Sequence, residues 1–172
     1  MPEVKRHGSV WRVGLFLIIA AFVVVLDQIS KSWVRSDFEL NETVPLLGCL
    51  SLTHVRNTGA AFGLFTSQAF LLTLVAIIGL VAMLLLYRYI PRSSILGISA
   101  LGLVFGGALG NLIDRLRFGY VTDFIDVRLW GDFHWPTFNV ADSAITVGSI
   151  VLAVFIFWVF RKEDGKSSGA GS

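Results

Sequence analysis

The sequence predicts an all-α membrane protein, with four transmembrane helices and a small extracytoplasmic β element. Apolar runs at residues 13–34, 69–87, 95–111 and 140–160 each approach the roughly 20 residues a helix needs to cross about 30 Å of hydrocarbon. Hydrophobic residues make up 55% of the 172, and the mean hydropathy of +0.74 argues against both a soluble fold and disorder. Polar groups that hydrocarbon disfavours also gather at one end of three of the runs, as a site would require.

The first run follows Lys5, Arg6 and Arg12 but has no small-residue cleavage site after its apolar core, so it is expected to be a retained helix. Residues 49–55 alternate Leu50 and Leu52 with Ser51 and Thr53, the pattern of a strand. A turn-like, small-residue stretch follows at 56–63. In the third run Gly102, Gly106 and Gly110 recur every four residues, a spacing that lets helices approach closely, expected within the chain, with self-association as the alternative. Residues 125–129 alternate again, Gly131-Asp132 offers a turn, and Trp130, Phe133, Trp135 and Phe138 suit the headgroup layer. In the fourth run Asn139, Asp142, Thr146 and Ser149 form one stripe, expected to face the bundle interior. Residues 1–164 read as a single membrane-embedded domain and 165–172 as a flexible tail.

An even number of spans puts both termini on one side. Eight basic residues lie there (Lys5, Arg6, Arg12, Arg88, Arg92, Arg161, Lys162, Lys166) against six opposite, which favours cytoplasmic termini. Using basic residues as depth markers, Asp27 lies roughly 22 Å beyond Arg12, Asn111 roughly 28 Å beyond Arg92, and Asp142 roughly 28 Å from Arg161. All three reach the extracytoplasmic boundary. The formal net charge of +2 suggests no nucleic-acid partner, and the single Cys49 excludes an internal disulfide.

Two acids are the main clue to chemistry. Asp142 opens the fourth run, and Asp123 lies 19 residues upstream. Carboxylates held close share a proton, so the charged member can activate water while the protonated one polarises a carbonyl. The residues alone leave other roles open: Asp142 as a helix-start acid behind an Asn139 cap, Asp123 as a solvated loop acid. Asp27 and Lys31, four apart, are placed to neutralise each other. Asp114-Arg115 reads as an interfacial pair, or Arg115 as a lipid-phosphate ligand. Asp126 and Asp132 look like ordinary loop acids. His7, His54 and His134 lack metal-ligand spacing, so no metal is expected. Neither a Cys49–His54 nor a Ser30–Lys31 pair is favoured as a catalytic group.

Five blocks resemble the lipoprotein (type II) signal peptidases: Asp27-Gln28-Ile29-Ser30-Lys31, Asn57-Thr58-Gly59-Ala60-Ala61-Phe62, Gly107-Ala108-Leu109-Gly110-Asn111-Leu112-Ile113-Asp114-Arg115, Val121-Thr122-Asp123-Phe124-Ile125 and Phe138-Asn139-Val140-Ala141-Asp142-Ser143. They cover all four runs in order. The resemblance implies a bacterial plasma-membrane aspartic endopeptidase with Asp123 and Asp142 as its catalytic dyad. It implies that Asn57, Asn111, Arg115 and Asn139 line the substrate site and that Asp27, Lys31 and Asp114 support it. The implied substrate is a prolipoprotein with diacylglycerol on its lipobox cysteine, cleaved just before that cysteine. A monomer among membrane lipids, without metal or organic cofactor, is expected. The third helix is read as leaving room, at Gly106 and Gly107, for a lipid-filled groove. The rival from another class is a proton- or ion-coupled transporter, which would place acids near the midplane and usually show an internal repeat. A non-catalytic lipid-binding scaffold using Arg115 is a third reading.

Overall fold

The computed structural model describes residues 4–59, 67–91 and 94–169. Residues 60–62 of the second block, the rest of the turn-like stretch, the depth marker Arg92 and residues 170–172 lie outside that set. Four helices and four strands follow in the order α1 (Val4–Asp37), β1 (Thr43–Leu47), β2 (Leu50–Asn57), α2 (Ser67–Leu86), α3 (Ile95–Phe118), β3 (Val121–Trp130), β4 (Phe133–Phe138) and α4 (Val140–Gly169). The backbone of α4 is helical to Gly169, through residues 165–169 of the expected tail.

Helix ends fall where local chemistry puts them. Ser94 caps α3, its side chain accepting from the Gly97 N–H, and Gly119 closes it with φ +77°, donating its N–H to the Arg115 carbonyl. That left-handed turn costs a glycine little and swings the chain directly into β3. The sheet is antiparallel, ordered β1-β2-β3-β4. Gly48 and Gly131, both at positive φ, turn its two hairpins. The β2–β3 pairing is the long-range step: it sets Val55 opposite Asp123 and Asn57 opposite Val121.

Among the described residues three helices are long and apolar enough to cross a membrane: Val10–Asp37, Ile95–Phe118 and Val140–Val159. The apolar helix Phe70–Leu86 is shorter. The chain is thus a mostly helical, multi-pass membrane protein with a small antiparallel sheet. Outward faces carry exposed Leu17, Ile18, Phe22, Phe70, Val75, Ile150 and Val154, as lipid contact requires. Near the far end of the bundle, Phe16, Ile90, Ile98, Leu101 and Phe155 form a buried cluster.

The α3 glycines do pack helices within the chain, but they leave no groove. A Cβ at Gly102 would press on Ile19, and one at Gly106 on the Ala20 carbonyl and Val23, all on α1. One at Gly107 would strike the Ala141 carbonyl and Ile145 of α4. The expected lipid-filled groove at Gly106 and Gly107 is therefore filled by neighbouring backbone. The polar stripe of α4 is also corrected: Asn139 is buried, yet Thr146 and Ser149 are exposed. The seam against α3 runs instead through Ala141, Ile145, Gly148 and Phe155, where small and apolar side chains allow the tighter approach.

Candidate active site

The site grows from a buried ion cluster where α1 meets α3. Lys31 is wholly buried; its Nζ lies 2.9 Å from Asp27 Oδ2 and 3.6 Å from Asp114 Oδ2, and donates to Asn111 Oδ1 at 2.8 Å. A buried ammonium is tolerated only when its charge and protons are matched, and these three oxygens do both. Arg35, one turn beyond Lys31, balances the second acid: its Nη1 is 3.5 Å from Asp114 Oδ1 and donates to Thr122 Oγ1 at 2.9 Å. The acids reach outward in turn. Asp27 Oδ1 accepts the Ala141 N–H at 3.0 Å, and Asp114 Oδ2 accepts the Thr122 N–H at 2.9 Å. The cluster thereby clamps the start of α4 and the start of β3, the two segments carrying Asp142 and Asp123.

Asn139 joins those segments at the site itself. Its Nδ2 donates to Asp123 Oδ1 at 2.6 Å, and its Oδ1 accepts the Asp142 N–H at 2.9 Å. Its own N–H donates to Asp142 Oδ2 at 3.2 Å. The last two bonds form a reciprocal capping box, so the helix-start role considered for Asp142 is realised. It occupies one carboxylate oxygen; the other, Oδ1, accepts from Asn111 Nδ2 at 2.8 Å. Asn57 Nδ2 completes the set, donating to Asp123 Oδ2 at 2.8 Å. Arg115 lies within electrostatic reach of Asp142, Asp123 and Asp114.

Asp123 is 2% exposed, and burial pushes its carboxyl up from 3.8 to about 6. The Asp142 charge pushes the same way, while the amides of Asn57 and Asn139 pull it down. The solvated-loop reading of Asp123 therefore does not hold: it is a buried strand residue. The site holds one carboxyl poised to keep a proton, a second within its electrostatic field, and amide donors fixing both. Acid–base work on one water is within its reach.

All nine residues expected at the site from sequence converge here: Asp123, Asp142, Asn57, Asn111, Arg115, Asn139, Asp27, Lys31 and Asp114. Asp114 does not pair with Arg115 but with Lys31 and Arg35. Asp126 is not an ordinary loop acid, being buried and bonded to His134 Nδ1 at 2.8 Å. Three members were missed. Gln28 donates to Asp27, Asp114 and the Gly110 carbonyl, and Arg35 and Thr122 bracket Asp114. The four-residue recurrence of Asp27, Lys31 and Arg35 was the available signal for Arg35. No cluster of three metal-ligating side chains occurs among the described residues.

Comparison with known proteins identifies the family. The family model of signal peptidase (SPase) II matches residues 19–158. A lipoprotein signal peptidase of Moorella thermoacetica is 46% identical over 138 residues, covering 80% of this chain and 89% of its own. One from Syntrophus aciditrophicus is 43% identical over 159 residues, covering 89% and 96%. A bacterial membrane enzyme solved by the in meso method superposes with a TM-score of 0.77 at 33% identity, covering 84% of this chain and 93% of that one. On the strength of the matched residues and the length they cover, the chain belongs to the signal peptidase II family.

Proposed function

We propose that the protein removes signal peptides from prolipoproteins as an intramembrane aspartic endopeptidase, with Asp123 and Asp142 as its dyad. The observation carrying the dyad is Asn139, whose side chain touches Asp123 and whose cap box holds Asp142. In the reaction, ionised Asp142 takes a proton from water as its oxygen attacks the scissile carbonyl. Protonated Asp123 gives its proton to the carbonyl oxygen, forming a neutral gem-diol. Asp142 then passes its proton to the departing nitrogen as the C–N bond breaks. Asp123 recovers a proton from a diol hydroxyl, and the products are a carboxyl-ended signal peptide and a new amino terminus. A carboxyl held near 6 suits the acid role, and a substrate that excludes water raises it further.

In this reading Asn57, Asn111, Arg115 and Asn139 line the substrate site while holding the acids, and Asp27, Lys31 and Asp114 keep it rigid. The substrate bears diacylglycerol on its lipobox cysteine and is cut just before that residue. The molecule works as a monomer in the bacterial inner membrane, with cytoplasmic termini and the dyad near the outer boundary. It has four spans: α2, at 20 residues, reaches roughly 30 Å and crosses with the other three. The transporter reading is not favoured, because the relatives are peptidases and the acids sit together at one end of the helices.

The test is incubation of the purified protein with a lipidated precursor and mapping of the new N-terminus. Asp123→Asn and Asp142→Asn should each fold, insert and fail to cleave. Robust turnover by either variant refutes the dyad, and equal cleavage of precursor without the diacylglyceryl group refutes the substrate class. A lipid-binding scaffold would tolerate Asp142→Asn.

A further inference from the structure

We propose that a groove between α1 and the last turn of α3 binds the phosphate of an anionic phospholipid, with an acyl chain lying along α1. The groove has a volume of about 420 Å³ and shares no residue with the dyad or its amide donors. Its polar end holds two guanidinium groups on one ring: the Arg35 group lies 4.6 Å from the Phe118 centroid and the Arg117 group 5.2 Å from it. Two cations drawn to one ring repel each other unless an anion stands between or beside them.

Charge near the groove is only partly balanced by protein. Arg35 is matched by Asp114 at 3.5 Å, and Lys31 by Asp27 at 2.9 Å, so the uncompensated charge is that of Arg117. Arg117 has no carboxylate within ion-pair distance among the described residues, and it is exposed. Its place in the last turn of α3 suits the negative helix end, but no side chain neutralises it, and its full charge stands beside that of Arg35 at the groove. Gln28 and Ser32 add hydrogen-bonding groups to the wall. Guanidinium forks match phosphate oxygens in geometry as well as charge.

The other end of the groove decides the source of that phosphate. Val25 and Ile29 continue it down α1, and they are 55% and 64% exposed. A free phosphate would leave this apolar wall bare, whereas a lipid covers it with an acyl chain. A zwitterionic headgroup would bring its own cation beside the two arginines, so a net anionic lipid fits better.

The test uses the full chain, purified in detergent and offered phosphatidylglycerol or phosphatidylcholine with matched acyl chains. Retained lipid is counted by native mass spectrometry. The wild type should retain phosphatidylglycerol in preference, Arg117→Gln should lower that retention about fivefold, and Arg88→Gln, an exposed charge elsewhere, should leave it unchanged. Equal loss in the two variants, equal retention of the two lipids, or displacement of phosphatidylglycerol by millimolar inorganic phosphate would each overturn the assignment. Because the readout is bound lipid, a result either way leaves the protease reading to its own assay.

Discussion

Replacing Asp123 by Asn removes a titrating group whose folded and unfolded states hold their proton differently. Burial raises the folded carboxyl to about 6 from an ordinary 3.8. Between those values the folded state keeps a proton that the unfolded state has released, so stability falls as pH rises through the window. At about 1.36 kcal/mol per unit, the loss is about 3 kcal/mol once pH passes 6. The amide escapes that loss but meets a separate, pH-independent one. Asp123 accepts from both Asn57 Nδ2 and Asn139 Nδ2. An Asn there turns one amide group against another donor, at about 1–3 kcal/mol. The two effects nearly cancel near neutrality, so absolute stability is a poor readout and the pH slope is the informative one. Reversible unfolding in mixed detergent from pH 4 to pH 7.5 gives the curves. The variant-minus-wild-type difference should grow by about 2–2.5 kcal/mol toward the variant, most of it between pH 4 and 6. A difference flat in pH would refute the raised carboxyl and, with it, the choice of Asp123 as the proton donor.

The same carboxyl sets the alkaline limb of catalysis: kcat/KM should fall as pH rises above about 6, because the free enzyme loses the dyad proton, and a flat profile to pH 8 would contradict this. Lys31→Met leaves Asp27 and Asp114 buried without their shared cation and should cost about 3–5 kcal/mol in detergent unfolding. Gly106→Leu should destabilise by about 1–3 kcal/mol or more, since the side chain meets α1 backbone; unchanged stability would mean that α1 and α3 are not in contact there. Asn139→Ser keeps a capping oxygen but removes the Asp123 donor, so cleavage should drop at least tenfold while the unfolding midpoint moves little.

What could be read from the sequence followed what each element depends on. The helices were legible because long apolar runs leave few alternatives. Strand β2 and residues 125–129 of β3 were legible from alternation, whereas residues 121–124, Asp123 among them, were not. The outer strands were not: every residue of β1 is exposed and Pro45 interrupts it, and β4 contains Pro136 with most side chains exposed, so neither carries a two-residue period. The identities of Asp123 and Asp142 came from family blocks, whereas their meeting depends on β2–β3 pairing and the hairpin that returns the chain to α4. Thr146 and Ser149 were misplaced because periodicity identifies a stripe, while packing selects which stripe is used. Here the small-residue seam through Ala141 and Gly148 is used, and the polar flank is left beside it.

The division of labour between the two charge clusters follows from their surroundings. The Lys31 cluster is buried and internally balanced, and each of its oxygens is matched by a donor, so it fixes geometry. The Asp123–Asp142 pair is held by neutral amides instead, with Arg115 near but not closing an ion pair with either acid among the described residues. A close cation on Asp123 would hold its carboxyl down and leave no proton to give. Neutral donors orient the carboxylate while permitting burial to raise it. The two acids proposed as the dyad are thus hung between α4 and β3 by asparagines, and the strong charges that brace those elements are kept one layer below, on α1 and α3.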